Sequence, residues 1–303
     1  MATRIVRKPS KDMQKFLKAG TTGRLLGSLE RFLATEEPEF RSQAHLHPSA
    51  MSKIDWCPRS GYYQLLLDDQ GKTPPGEINA LQRQNIFDEG HYIHDKWQQR
   101  FWRQGVLYGL FECSLCRFNP DFKYLEAHTF WATSPTQCLK GHPREFLKYR
   151  EVPLGSPAHR IGGHSDGWIK DGKPDVMIEI KSVGSGTYRF DGQHLIERYG
   201  DDFSELWKQT KRPFTSHINQ GQTYLHLAHL QWGDDAPNDI VYIYESKVHQ
   251  QYKEFVVTYD PTIVEDRFKD AADIARRLEQ GRGAPDCFTG HACDQCKGYA
   301  VAT

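Results

Sequence analysis

The residues best placed to do chemistry lie in two short runs, Gly162-Gly163-His164-Ser165-Asp166-Gly167-Trp168 and Val176-Met177-Ile178-Glu179-Ile180-Lys181. Side chains alternate across a strand, so Glu179 and Lys181 share one face and Ile180 points the other way, into a core. A carboxylate and an ammonium at the end of an apolar run are costly to bury unless something uses them. Asp166, Glu179 and the Ile180 carbonyl together offer oxygen ligands to a hard divalent cation such as Mg²⁺ or Mn²⁺. Lys181 would then stand beside the water that such a cation acidifies, an arrangement suited to phosphodiester hydrolysis. Asp175 is the wrong partner for Glu179. Four strand residues separate them, about 13 Å, too far for one cation to bridge, and Asp175 reads as a turn residue.

The seven cysteines form a second set of candidates. In an intracellular chain they signal metal rather than disulfides. Cys113-x-x-Cys116 followed by Cys138-x-x-x-His142 has zinc-site spacing, with Gly141 helping the second knuckle to turn. The remaining four, Cys57, Cys287, Cys293 and Cys296, make four soft ligands that suit either a [4Fe–4S] cluster or zinc, and spacing does not separate these. In both cases a metal would staple the early part of the chain to its last cysteines.

Taken in order, the motifs resemble those of the PD-(D/E)XK nucleases in their RecB-like branch. "HSDGWI…IEIKS" resembles motifs II and III. Gly90-His91-Tyr92-Ile93-His94 resembles the G-x-x-x-H helix, and Gln220-Gly221-Gln222-Thr223-Tyr224 the Q-x-x-x-Y helix. "SKIDWCPRSGYY", from Ser52 to Tyr63, resembles the segment that opens the CRISPR-associated RecB-like exonucleases and the AddB nuclease domain.

The resemblance implies that His94 joins Asp166 and Glu179 at the metal, ahead of its rivals His91 and His164. It further implies that Gln220 positions Lys181 or the water, that Tyr224 contacts the DNA backbone, and that Cys57, Cys287, Cys293 and Cys296 hold [4Fe–4S]. The relatives place their distant cysteine last, whereas here Cys287 comes first. The zinc-type segment is outside the usual family pattern. The activity implied is a metal-dependent DNA exonuclease in recombination, repair or phage DNA processing, acting on ends or single strands, with a recombination or replication protein as partner. The alternatives are a nucleic-acid-binding or assembly subunit on the same scaffold, which intact motifs argue against, and a structure-specific endonuclease.

The resemblance implies that these residues are positioned by an α/β fold, a central mixed β-sheet flanked by helices as in restriction endonucleases, with a zinc-knuckle insert and an iron–sulfur staple. Residues 1–50 form a basic helical arm, with eight Lys or Arg before residue 32, and 51–303 the nuclease domain, including the insert at about 105–148. The pattern predicts a long helix over 78–104, strand–turn–strand over 151–183, and loop with short helix over 184–215. It then predicts a helix over 216–231, paired strands at 240–244 and 254–259, and a helix over 263–278. Lys208, Lys211 and Arg212, flanked by Trp207 and Phe214, resemble a single-strand-binding surface of mixed charge and aromatics. The formal net charge is zero, so attraction to DNA must come from such local patches. No apolar run reaches the roughly 18 residues of a membrane span. With no apolar signal core at the N-terminus, the expectation is a cytoplasmic protein of prokaryotic or phage origin.

Overall fold

The computed structural model describes residues 26–33, 35, 43–72, 81–117, 128–287, 289–290 and 293–297. The described residues divide into two compact units: one takes those up to Arg41 and from 81 to Glu89, the other takes the rest. In the first, helix α1 (Leu26–Leu33) exposes Leu26, Leu29 and Phe32. Of the expected basic arm over 1–50, residues 1–25, 34 and 36–42 lie outside the described residues, and 43–50 belong to the second unit.

In the second unit a single helical turn at Pro48–Met51 precedes α2 (Pro58–Asp69), whose Pro58 occupies the first turn, where a missing N–H costs nothing. The long helix α3 (Leu81–Gln104) follows and belongs to this unit from Gly90 onward. Then come β1 (Leu107–Cys113), β2 (Thr129–Thr133), β3 (Leu147–Tyr149), β4 (Val152–Ser156), β5 (Ile161–Ser165), β6 (Gly167–Ile169) and β7 (Val176–Val183). Three short helices, α4 (Ser185–Asp191), α5 (Gln193–Tyr199) and α6 (Phe203–Gln209), fill the segment expected as loop with short helix. Asp202 caps the last of them, accepting from the Glu205 amide. The chain continues through α7 (Thr215–Trp232), β8 (Asp239–Ser246), β9 (Tyr252–Thr258), α8 (Glu265–Glu279) and the single turn α9 (Asp294–Lys297).

The central sheet is mixed. Its order is β2-β1-β6-β7-β8-β9, with β3 also on β1. All pairs are antiparallel except β7 with β8. A parallel pair needs a long crossover, and α4 to α7 supply it. The cysteine-rich segment therefore contributes three strands to the main sheet, and β1 ends at Cys113. Strand alternation sorts the core onto two faces. Met177, Ile240, Tyr242 and Tyr244 pack with Leu225 and Ala228 of α7 and Phe268 of α8. Ile178, Ile180 and Ile243 pack with Ile93 and Trp102 of α3. Glu179 and Lys181 thus lie on the α7 side and Ile180 on the α3 side.

Candidate functional site

The site forms where the sheet splits. β5 pairs with β4 in a separate two-stranded sheet, while β6 pairs with β7 in the main one. Asp166 is the single residue between β5 and β6. The register of β6 on β7 runs from Val176 to Ile178 and stops. Beyond that point the Ile180 amide donates instead to Asp166 Oδ2. The carboxylate replaces a lost strand partner, and this brings it beside Glu179.

Above the fork, α3 presents His94, whose Nδ1 lies 3.0 Å from Asp166 Oδ1. The rivals His91 and His164 are both exposed. Glu151, which the sequence reading passed over, completes the cluster: one ligand atom each from His94, Glu151 and Asp166 lie within 4.8 Å of one another. Glu151 joins β3 to β4 in the left-handed backbone region, at φ 61°. Gln98 of α3 donates to its Oε1 at 3.3 Å and to the Asp166 carbonyl at 3.1 Å, tying helix, loop and fork together.

Electrostatics mark this as a site where buried acidic and basic groups crowd together. Burial pushes Glu179 up to about 7, with Asp166 adding to the effect against the pull of Lys181. Burial and the neighbouring Asp166 likewise raise Glu151 to about 7. For Asp166, burial would raise the carboxyl, but His94, the Ile180 amide and Lys181 hold it below its ordinary range. For His94, burial would favour the neutral ring, yet Asp166 and Glu179 carry it up to about 9. Glu179 is 3% exposed, and among the described residues its Oε2 has no hydrogen-bond partner. A buried carboxylate oxygen left unpaired is costly. His94, Glu151 and Asp166 come close enough to hold one hard divalent cation, which binds through oxygen, and Glu179 lies outside that set of three.

Lys181 Nζ lies 2.7 Å from Glu179 Oε1 and donates to Gln220 Oε1 at 2.8 Å. Gln220 Nε2 in turn donates to the Tyr224 hydroxyl at 3.1 Å. The i, i+4 spacing on α7 puts both on the face that covers the sheet. Tyr224 is buried, and its hydroxyl meets Gln220. Gly221 permits the approach: a Cβ there would sit 2.0 Å from the Tyr242 hydroxyl. Asp175 lies just before β7 and pairs with Lys170.

Lys208 lies in the last turn of α6, and Lys211 and Arg212 follow the helix; all three are exposed. Their flanking aromatics are not. Trp207 and Phe214 are buried in the main core, because the crossover helices need apolar anchors, so they offer no stacking platform. Lys208 and Lys211 line a recess of about 560 Å³ with Lys253 and His249.

Both thiol groupings assemble. Cys113 Sγ and Cys116 Sγ lie 3.3 and 3.4 Å from His142 Nδ1, and Cys116 Sγ lies 3.9 Å from Cys138 Sγ. The amides of Lys140 and His142 each donate to Cys138 Sγ at 3.3 Å. Burial would raise that thiol, but these two amides bring it below its ordinary value, favouring the thiolate a metal needs. Gly141, at φ 82°, makes the turn possible. Cys57, Cys287, Cys293 and Cys296 likewise bring their sulfurs within 4.8 Å of one another.

No family model matches the chain, and no curated protein does. Among solved structures, an alkaline exonuclease (LHK-Exo) from Laribacter hongkongensis aligns over 79% of this chain and 90% of its own, at 14% identity and a TM-score of 0.43. LHK-Exo in complex with dAMP covers the same shares at 12% identity and a TM-score of 0.44. SSO0001 covers 91% of this chain and 89% of its own, at 13% identity and a TM-score of 0.33. At such similarity the chemistry has to be read from the site's own groups.

Proposed function

We propose that this chain is a divalent-metal-dependent deoxyribonuclease of the PD-(D/E)XK class, an exonuclease acting on DNA ends or single strands. The observation that carries the proposal is the fork itself: Asp166 capping Ile180, and Glu179 buried beside it with an oxygen unpaired and Lys181 in contact. Asp166, Glu179, the Ile180 carbonyl and His94 would hold Mg²⁺ or Mn²⁺, with Glu151 adjoining. When bound, the cation supplies Lewis acidity and acidifies a water.

The protein's own groups do the rest. Lys181 orients the attacking water and faces the charge that grows on the phosphoryl oxygens. Gln220 fixes the lysine's direction, and Tyr224 fixes Gln220. Lys208, Lys211 and Arg212 attract the polyanionic strand by charge. Cys113, Cys116, Cys138 and His142 hold a structural zinc at the end of β1. A recombination or replication protein would supply the DNA ends.

The test is digestion of end-labelled single- and double-stranded DNA with Mn²⁺, wild type against Lys181→Ala. Metal-dependent release of nucleotides by the wild type, lost in the variant, supports the reading. Binding without cleavage by the wild type would make the chain a nucleic-acid-binding subunit. Cutting of closed circles would make it an endonuclease.

A further inference from the structure

The four-cysteine site does not have the dimensions of an iron–sulfur cluster. In a [4Fe–4S] cluster each thiolate ligates a different iron, so the sulfurs of the protein stand about 6 Å or more apart. Around a single tetrahedral ion, with metal–sulfur bonds of about 2.3 Å, they stand about 3.8 Å apart. Cys57 Sγ lies 3.7 Å from Cys287 Sγ and 3.2 Å from Cys296 Sγ. Cys296 Sγ lies 3.4 Å from Cys293 Sγ and 3.9 Å from Cys287 Sγ. The whole set falls within 4.8 Å, the same compass as the Cys113, Cys116, Cys138 and His142 site of the same molecule.

The surrounding contacts hold that size. Gln295, between two of the ligands, accepts from the Cys57 amide at 3.1 Å and donates to the Asp55 carbonyl at 2.8 Å. The Thr289 hydroxyl lies 3.2 Å from Cys287 Sγ. Cys57, Cys287 and Cys296 are buried, and at the sulfur spacings above they enclose room for one ion and not for an inorganic core of irons and sulfides. Four thiolates in a tetrahedron select zinc among common cellular ions that lack redox chemistry.

We infer that Cys57, Cys287, Cys293 and Cys296 bind one zinc ion, in place of the [4Fe–4S] cluster that the motif resemblance implies. The inference stands apart from the nuclease reading, because none of the fork residues belongs to this site. It makes the staple insensitive to oxygen and free of inorganic sulfide.

The experiment is metal and acid-labile sulfide analysis of full-length protein, expressed with both iron and zinc supplied and purified anaerobically. The expected result is a colourless protein with two zincs per chain, one for each thiol site, and no labile sulfide. Cys293→Ser, at the least buried of the four ligands, should lose one zinc and keep the other, while His142→Ala should lose the other. Cobalt in place of zinc should give intense thiolate-to-metal absorption that Cys293→Ser halves or more. About four irons with matching sulfide in the wild type, the content of such a cluster, would overturn the inference. So would a single zinc per chain that Cys293→Ser retains. The wild-type measurements decide the matter even if a variant fails to fold.

Discussion

In the proposed mechanism Lys181 is the catalytic group, and three others restrain it. Glu179 and Gln220 both contact its ammonium, and Tyr224 contacts Gln220. Losing a group that meets transition-state charge costs about 10²- to 10³-fold in turnover, so Lys181→Ala should lower Mn²⁺-dependent cleavage by that much with DNA affinity retained. Gln220→Ala keeps the lysine but frees its direction, and should cost about tenfold or more in kcat with little change in KM. Equal rates for wild type and Lys181→Ala would remove the lysine from the mechanism. Strand alternation made Glu179 and Lys181 legible in sequence, since side chains two apart must share a face. Glu151 was not legible. It stands in no metal-site spacing, and it reaches the fork only through the β3–β4 connection at φ 61°. The run Arg150-Glu151 directly before an apolar strand was the one available signal. Trp207 and Phe214 misled for the opposite reason: aromatics beside lysines look alike whether they face solvent or core.

At the scale of elements, the packing of α7 on β8 decides whether the relay reaches the fork. A Cβ on Gly221 would meet the Tyr242 hydroxyl at 2.0 Å and Ile240 Cδ1 at 2.8 Å. Gly221→Ala should therefore lift α7, destabilise the unit by about 1–3 kcal/mol as overpacking does, and impair cleavage through the adjacent Gln220. Tyr242→Phe in the same chain removes the nearest clashing atom and should restore part of the loss. A melting series and rates on the single and double variants would check this, and full additivity of the two changes would sink the explanation. The sheet order itself could not be read from spacing. The pattern showed strands over 151–183 and 240–259, but their partners, and the entry of β1 beside β6, depend on contacts distant in sequence. That entry has a consequence for the cysteine-rich segment. Because β1 belongs to the main sheet and ends in Cys113, Cys113→Ser should release one zinc and lower the melting temperature of the whole larger unit, since metal-binding energy at such a site is folding energy. Zinc loss with an unchanged melting temperature would show the knuckle to be independent of the sheet.

At the scale of the whole molecule, the buried charges set a pH dependence. Glu179 and Glu151 are raised from 4.5 to about 7, and His94 from 6.5 to about 9. In each case the folded protein holds its proton more tightly than the unfolded chain, so the stability is complete below the unfolded value and is lost as pH rises through the folded one. Protein prepared without Mg²⁺ or Mn²⁺ should thus lose stability progressively between about pH 5 and about pH 9. Added Mn²⁺ should protect most at the upper end, where ligand protons no longer compete. Denaturant titrations with and without Mn²⁺ would show this; protection independent of pH would place the cation elsewhere. The staple carries a consequence of another kind, in the order of synthesis. Cys57 and Cys287 are 230 residues apart, so at the usual pace of translation the first ligand leaves the ribosome about 10 to 50 s before the second. For that interval α2 emerges with its leading thiol bare. The nascent chain is then open to premature oxidation or to a stray metal, and ribosome-bound intermediates should react with a thiol-specific label at Cys57 until the last cysteines arrive.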